Sequence, residues 1–229
     1  MPKPPGRTEK GERMRETILA AALDLFTTRG YHETTMRDIA AAAGCSPGLS
    51  YRYFARKEDL VLAMYAQLAG EFNTTIDALP AAPLVARFSA MMRARFEQVR
   101  PYRGVYQAIL GSALNPQNEL GILGAASAPL RAHVIHDNFA ALVRDATDAP
   151  PERQVDALAL VLYAAHLGLL LFWLCDPTPG FRATETLVRL GEQGLRFGRR
   201  LLRLPPIAHA LTELADALEP VFGAPKASD

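Results

Sequence analysis

Arg37 and Arg52 lie in a short segment that also carries hydroxyls at Thr35, Ser46, Tyr51 and Tyr53 and an ammonium at Lys57. A guanidinium offers a planar donor fork that fits the N7 and O6 acceptors of guanine, while hydroxyl and ammonium groups donate to phosphate oxygens. The set suits a grip on a nucleic-acid backbone with some reading of base edges. Catalysis has no comparable set. The chain contains no HExxH, GxSxG or P-loop motif, and no carboxylate pair spaced as general acid and base on one helix face. GEQGLRFG, at 191–198, has no strand before it and helical flanks, so it is not a phosphate-binding loop. No cofactor is expected. An all-α enzyme and an interaction module without DNA binding are the alternative classes.

The elements that must hold these residues are helices. Thr35-Met36-Arg37-Asp38 has capping-box spacing, with Asp in place of Glu, and opens a short helix that stops at Gly44. Ser46 is a good N-cap and Pro47 is preorganised for the first helical position, so a further helix covers 47–54. The pair forms a helix-turn-helix, in which the first helix braces across the backbone and the second enters the major groove by its N-terminal half. A longer helix over about 12–29 precedes it, with Met14, Ile18, Ala21, Ala22, Leu25 and Phe26 as its apolar stripe and Gly30 at its C-cap.

Composition sets the wider frame. The 229 residues are 49% hydrophobic and 21% charged, a globular balance. The net charge of +1 hides an asymmetry: residues 1–57 hold ten Lys/Arg against six Asp/Glu, and residues 58–229 hold fifteen against eighteen. A basic head is thus joined to a mildly acidic body. Cys45 and Cys175 are too far apart in sequence to suggest a disulfide framework, and the polar N-terminus lacks a secretory signal, so a cytoplasmic protein is expected. The divisions are a disordered arm at 1–11, a helix-turn-helix domain at 12–56 and a body at 57–229.

Beyond a helix at 57–79, apolar spacing places helices at about 84–99, 102–113, 127–147, 152–175, 183–204 and 206–222, and no hairpin-bounded strand pattern occurs. Residues 157–175 carry no formal charge and pass a crude membrane filter, but Asp156 and Asp176 bound them, no Lys/Arg cluster sets an orientation and His166 sits at the centre. The expectation is no membrane span, but a helix buried on nearly all sides by the chain's own core and a dimer partner. Leu187, Gly191, Gly194, Gly198 and Leu202 form the matching dimer face, where glycines permit close approach of a partner helix. His133 and His136 with Asp137 supply too few ligands for a metal site.

Residues 13–62, with LFTTRGYHETTMRDIAAAAG and CSPGLSYRYFARKEDL within them, resemble the DNA-binding domain of the TetR family of bacterial transcriptional regulators. The resemblance implies an all-α homodimer: a three-helix DNA-binding head joined to a helical-bundle body that senses a small molecule and dimerises. By resemblance Arg37 is a base reader, Pro47, Gly48, Leu49, Tyr51 and Arg52 line the groove face, and Thr35, Tyr53 and Lys57 contact phosphate, with Ser46 added by its position at a helix start. Ser50 departs from the family, which has a large apolar residue beneath the recognition helix there. In the body, Phe88, Met92, Phe96, Tyr106, Leu110, Phe139, His166 and Trp173 are the candidates for a mainly apolar effector site. The implied function is a repressor released from a palindromic operator, with double-stranded DNA, its own copy and an unidentified effector as partners.

Overall fold

The computed structural model describes residues 9–115, 117–118, 121, 123–124, 127–201 and 205–223, and the regular elements among them are helical. The order is α1 Glu9–Thr28, α2 Met36–Ala42, α3 Pro47–Tyr53, α4 Lys57–Asp77, α5 Leu84–Val99, a 3-10 turn Arg100–Tyr102, α6 Arg103–Leu114, α7 Ala128–His133, a π-helical segment Val134–Phe139, α8 Ala140–Arg144, α9 Val155–Cys175, α10 Arg182–Leu201 and α11 Pro205–Phe222. The expected all-α fold is therefore present. Of the expected arm, residues 1–8 lie outside the described residues, and α1 takes in the rest, starting at Glu9 rather than near Glu12.

α1 buries Ile18, Leu19, Ala22, Leu23, Leu25 and Phe26 on one face, and Gly30 closes it at φ +99°, a backbone conformation that L side chains rarely adopt. The apolar stripe of α4 runs from Leu60, Val61 and Met64 to Leu68, Phe72 and Ile76, so one helix is packed along both head and body. α5 begins directly after Pro83, and Leu84 N donates to Asp148 Oδ1 at 2.7 Å. Its far end tightens into the 3-10 turn around Pro101, whose ring cannot continue an i to i−4 ladder.

Buried polar residues tie the body together at two joints. Arg87 donates from Nε to Leu142 O at 3.2 Å and from Nη1 to Leu79 O at 3.2 Å and Pro80 O at 3.1 Å, joining α5 to α8 and to the segment that follows α4. Asp176, between α9 and α10, accepts from the backbone and hydroxyl of both Thr178 and Thr184. Burial pulls that carboxyl upward, but the four donors outweigh it and hold it below the usual carboxylate range.

α9 passes through the centre of the body, against α11, the π-helical segment, α8 and α10. It is long and apolar enough to cross a membrane, and 44% of its most apolar window is buried within the single chain. Leu158, Leu162, Tyr163, His166 and Trp173 face the core, whereas Ala165, Gly168, Leu171, Phe172 and Cys175 form an exposed stripe at 3–4-residue spacing. Burial on nearly all sides thus requires a second surface from outside the chain.

Candidate nucleic-acid interface

Two short helices present the interface because their starts are fixed by side chains. Thr35 Oγ1 accepts from Asp38 N at 3.2 Å while Asp38 Oδ2 accepts from Thr35 N at 2.9 Å and Thr35 Oγ1 at 2.6 Å, a complete capping box. Those bonds also draw the Asp38 carboxyl below its ordinary pKa. Ser46 Oγ accepts from Leu49 N at 3.2 Å and starts α3 with Pro47 in its first turn. Gly44, at φ +64°, makes the turn between them.

On α3, Pro47, Gly48, Tyr51 and Arg52 are exposed, and Leu49 and Tyr53 are half-buried. Arg37, on α2, is exposed as well. Neither Arg37 nor Arg52 has an ion-pair or hydrogen-bond partner among the described residues, which leaves both guanidinium forks available. A Cβ added at Gly48 would meet nothing within 4 Å, and no unusual φ demands glycine there. Its small size is spent on open space. Ser50, where the sequence departs from the family, is fully buried beneath the helix with Oγ unpartnered, and Leu49 beside it is only partly covered.

Lys57 is placed differently from a free surface cation. Its Nζ donates to Tyr31 O at 2.8 Å and lies 4.5 Å from the centre of the Tyr31 ring. Tyr31 in turn packs edge-on against Phe26 and donates to Glu58 Oε1 at 3.3 Å. Burial first, then the Glu58 charge, push the Tyr31 hydroxyl up to about 12. Lys57 therefore braces the turn after α1 against the start of α4.

The expected effector residues divide into two groups along α9. His166 and Phe139 meet with ring centres 5.4 Å apart, while Phe96 stacks on Trp173 at 5.7 Å, about two helical turns further on. Phe88 and Met92 are buried in the same core, and Tyr106 and Leu110 are half-buried. Four residues that the sequence did not single out for the site complete the first group. Phe72 stacks on His166 at 5.9 Å, Tyr163 lies 6.1 Å from it, Arg95 sits 5.1 Å from the Phe72 ring and Tyr65 stacks on Tyr106 at 5.7 Å. Two surface cavities are also present, one of them reaching the expected effector residue Leu110. One of about 550 Å³ is lined by residues including Pro83, Asp148, Arg196 and Phe197; the other, about 670 Å³, includes Arg103, Leu110, Cys175 and Phe181.

α10 carries the expected dimer face in the open. Leu187, Gly191 and Gly194 are exposed together with Leu190 and Phe197, the last at 75%, and a Cβ at either glycine would meet nothing within 4 Å. Gly198 belongs to α10 and Leu202 lies outside the described residues.

Residues 18–64 match the family described as bacterial regulatory proteins, tetR family. The chain is 35% identical over 102 residues to the HTH-type transcriptional regulator TcmR of Streptomyces glaucescens, covering 43% of this chain and 45% of that protein. It thus spans less than half of that relative's length. Among solved structures, a tetR-family transcriptional regulator from Streptomyces coelicolor aligns over 90% of this chain and 89% of its own, with a TM-score of 0.62 at 22% identity. The TetR transcriptional regulator from Nitrosomonas europaea aligns over 81% and 99%, with a TM-score of 0.58 at 16% identity. At these identities the likeness is one of fold, extending from the head through the body.

Proposed function

Since the chain belongs to the TetR family of bacterial regulatory proteins, we propose that it is a cytoplasmic, dimeric transcriptional regulator that represses from a palindromic operator and is released by a small, mainly apolar effector. The head is assigned to 12–56 and the sensing and dimerising body to 57–229. The observation that carries this reading is the exposed face of α2 and α3, where Arg37, Arg52, Tyr51 and Gly48 stand clear of competing partners. Arg37 and the groove face of α3, Pro47, Gly48, Leu49, Tyr51 and Arg52, are assigned to bases. Thr35, Ser46, Tyr53 and Lys57 are assigned to phosphates, Thr35 by turning its hydroxyl proton from Asp38 to the phosphate and Lys57 through the ammonium hydrogens that Tyr31 O does not use. The exposed apolar stripes of α9 and α10 support a helical dimer interface, which sets the two heads about a two-fold axis and so calls for inverted half-sites.

Fluorescence anisotropy with the DNA upstream of the protein's own gene, titrated at several salt concentrations, tests the reading. With roughly four phosphates neutralised per head, log K should fall against log salt with a slope near −7. Arg37→Ala should cost about 1–3 kcal/mol and relax preference at one base pair per half-site. A slope near zero, or equal affinity for scrambled DNA, refutes it.

A further inference from the structure

Tyr65 Oη on α4, Arg95 Nε on α5 and both ring nitrogens of His166 on α9 are buried without any hydrogen-bond partner. Arg95 and His166 share the Phe72 ring, which stacks on His166 and carries the Arg95 guanidinium, and Tyr65 is joined to them through Tyr106, on which it stacks and on which the Arg95 charge acts. Buried polar groups are normally satisfied, so orphans gathered in one place ask for a missing partner. Arg87, more deeply buried, spends its Nε and Nη1 on three carbonyls and approaches Asp145 at 3.6 Å; Arg103 Nε, away from this cluster, is unpartnered as well. Arg95 has only Leu68 O and Gln98 Oε1 on Nη1, and the Glu71 carboxylate, held by Gln98, acts on it by charge without a direct hydrogen bond.

The protonation states define what the partner must be. His166 is 4% exposed; burial, and secondarily the Arg95 charge, lower its pKa to about 3. Its imidazole is neutral at neutral pH and offers one donor and one acceptor. Burial holds the Tyr65 and Tyr106 hydroxyls well above their ordinary range and Tyr163 at about 12, so all three stay protonated. The cluster therefore combines one fixed positive charge with neutral donors, enclosed by Phe72, Phe139 and Tyr163. A dianion such as phosphate would leave a net buried charge, and a cation would meet Arg95.

We infer that Arg95, His166 and Tyr65 form the subsite for the polar end of the effector, and that this end is a single carboxylate borne on an apolar remainder. This rests on the regulator reading and names the effector class within it. The carboxylate neutralises Arg95, accepts from Tyr65 and from the imidazole N–H, and leaves its carbon skeleton among the aromatic rings. Phe139 belongs to the π-helical segment, an element that recurs at functional sites.

The test uses the full chain with octanoate, decanoate and 4-phenylbutyrate, each beside its primary amide. Thermal melts and the fluorescence of Trp173, the single tryptophan, report binding. At least one acid should raise Tm saturably and bind at least tenfold tighter than its amide. His166→Leu should weaken that acid at least tenfold while raising the Tm of the ligand-free protein, because the orphaned nitrogens are gone. Arg95→Met should abolish the preference for acid over amide, and if it does not fold, His166→Leu alone decides. No response to any acid, equal binding of acid and amide, or unchanged acid binding by His166→Leu overturns the inference. Specific DNA binding with no acid response removes this inference and leaves the regulator reading standing; acid binding with no specific DNA binding does the reverse.

Discussion

Acidification should expose the cost of keeping His166 neutral. In the unfolded chain its imidazole titrates near the ordinary 6.5, whereas in the fold its pKa is about 3. A lowered folded pKa means that the unfolded state binds the extra proton between these values, so the stabilisation is full above 6.5 and is lost as pH falls from there towards 3. Between pH 7.5 and 5.0 the loss is RT ln(1 + 10^1.5) less a negligible remainder, or about 2 kcal/mol. For a chain of this size about 2 kcal/mol corresponds to roughly 4–8 °C in Tm. Melts of the wild type and His166→Leu at both pH values, at one protein concentration, isolate the effect, because the contributions of His32, His133, His136 and His209 are common to both. The wild type should lose about 4–8 °C more than the variant. Equal losses would show that the folded protein protonates His166 freely and that its burial has been misjudged.

Three further outcomes follow from the geometry. Gly48→Ala should leave Tm unchanged or raise it, since alanine is favoured over glycine in helices by about 1 kcal/mol, yet weaken DNA binding in anisotropy titrations if α3 approaches the duplex by its backbone there. Lys57→Ala should lower stability by roughly 1–3 kcal/mol in urea melts through loss of its bond to Tyr31 O and its contact with the Tyr31 ring, and should flatten the salt slope by about one if it also meets a phosphate. Leu190→Glu combined with Phe197→Glu should yield monomers in sedimentation, because both residues stand exposed on the α10 stripe; an unaltered dimer would move the interface elsewhere.

The sequence was most informative where punctuation and periodicity coincide. α5 occupies the expected 84–99 because Pro83 starts it and Pro101 ends it, and α2 has the capping box that Thr35 and Asp38 announce. The π-helical segment inside the expected 127–147 helix was not legible, since one extra residue per turn leaves the apolar pattern nearly unchanged. In the body, aromatic residues were recognisable but their partners were not. Arg95 reads as a solvated charge, although it follows Met91 by four positions and Met92 by three, on the buried side of α5. Tyr163, one helical turn before His166, carried a similar signal. Lys57 reads as a free cation because the carbonyl and ring that hold it come from 26 residues upstream.

How the body reaches the head follows from shared supports. α4 carries Lys57 against Tyr31 at one end and Tyr65 and Phe72 among the aromatic cluster further along, so head and cluster are parts of one continuous helix. α1 is packed on α4 and also on the 3-10 turn and α6, the helix that supplies Tyr106 to the Tyr65 stack. The head thus rests on two helices whose mutual contact lies in the cluster. A change in the spacing of Tyr65 and Tyr106 would act on both supports of α1 together, and because packed helices shift between discrete arrangements, it should reorient α1 to α3 as a unit. In a two-fold dimer each such shift counts twice against half-sites fixed by the duplex pitch. Tyr65→Leu, which removes the stack while keeping an apolar side chain, should therefore change operator affinity without touching a DNA-facing residue. Anisotropy titration of the variant with its circular dichroism unchanged measures this, and an affinity equal to that of the wild type would show that the head is supported independently of the cluster.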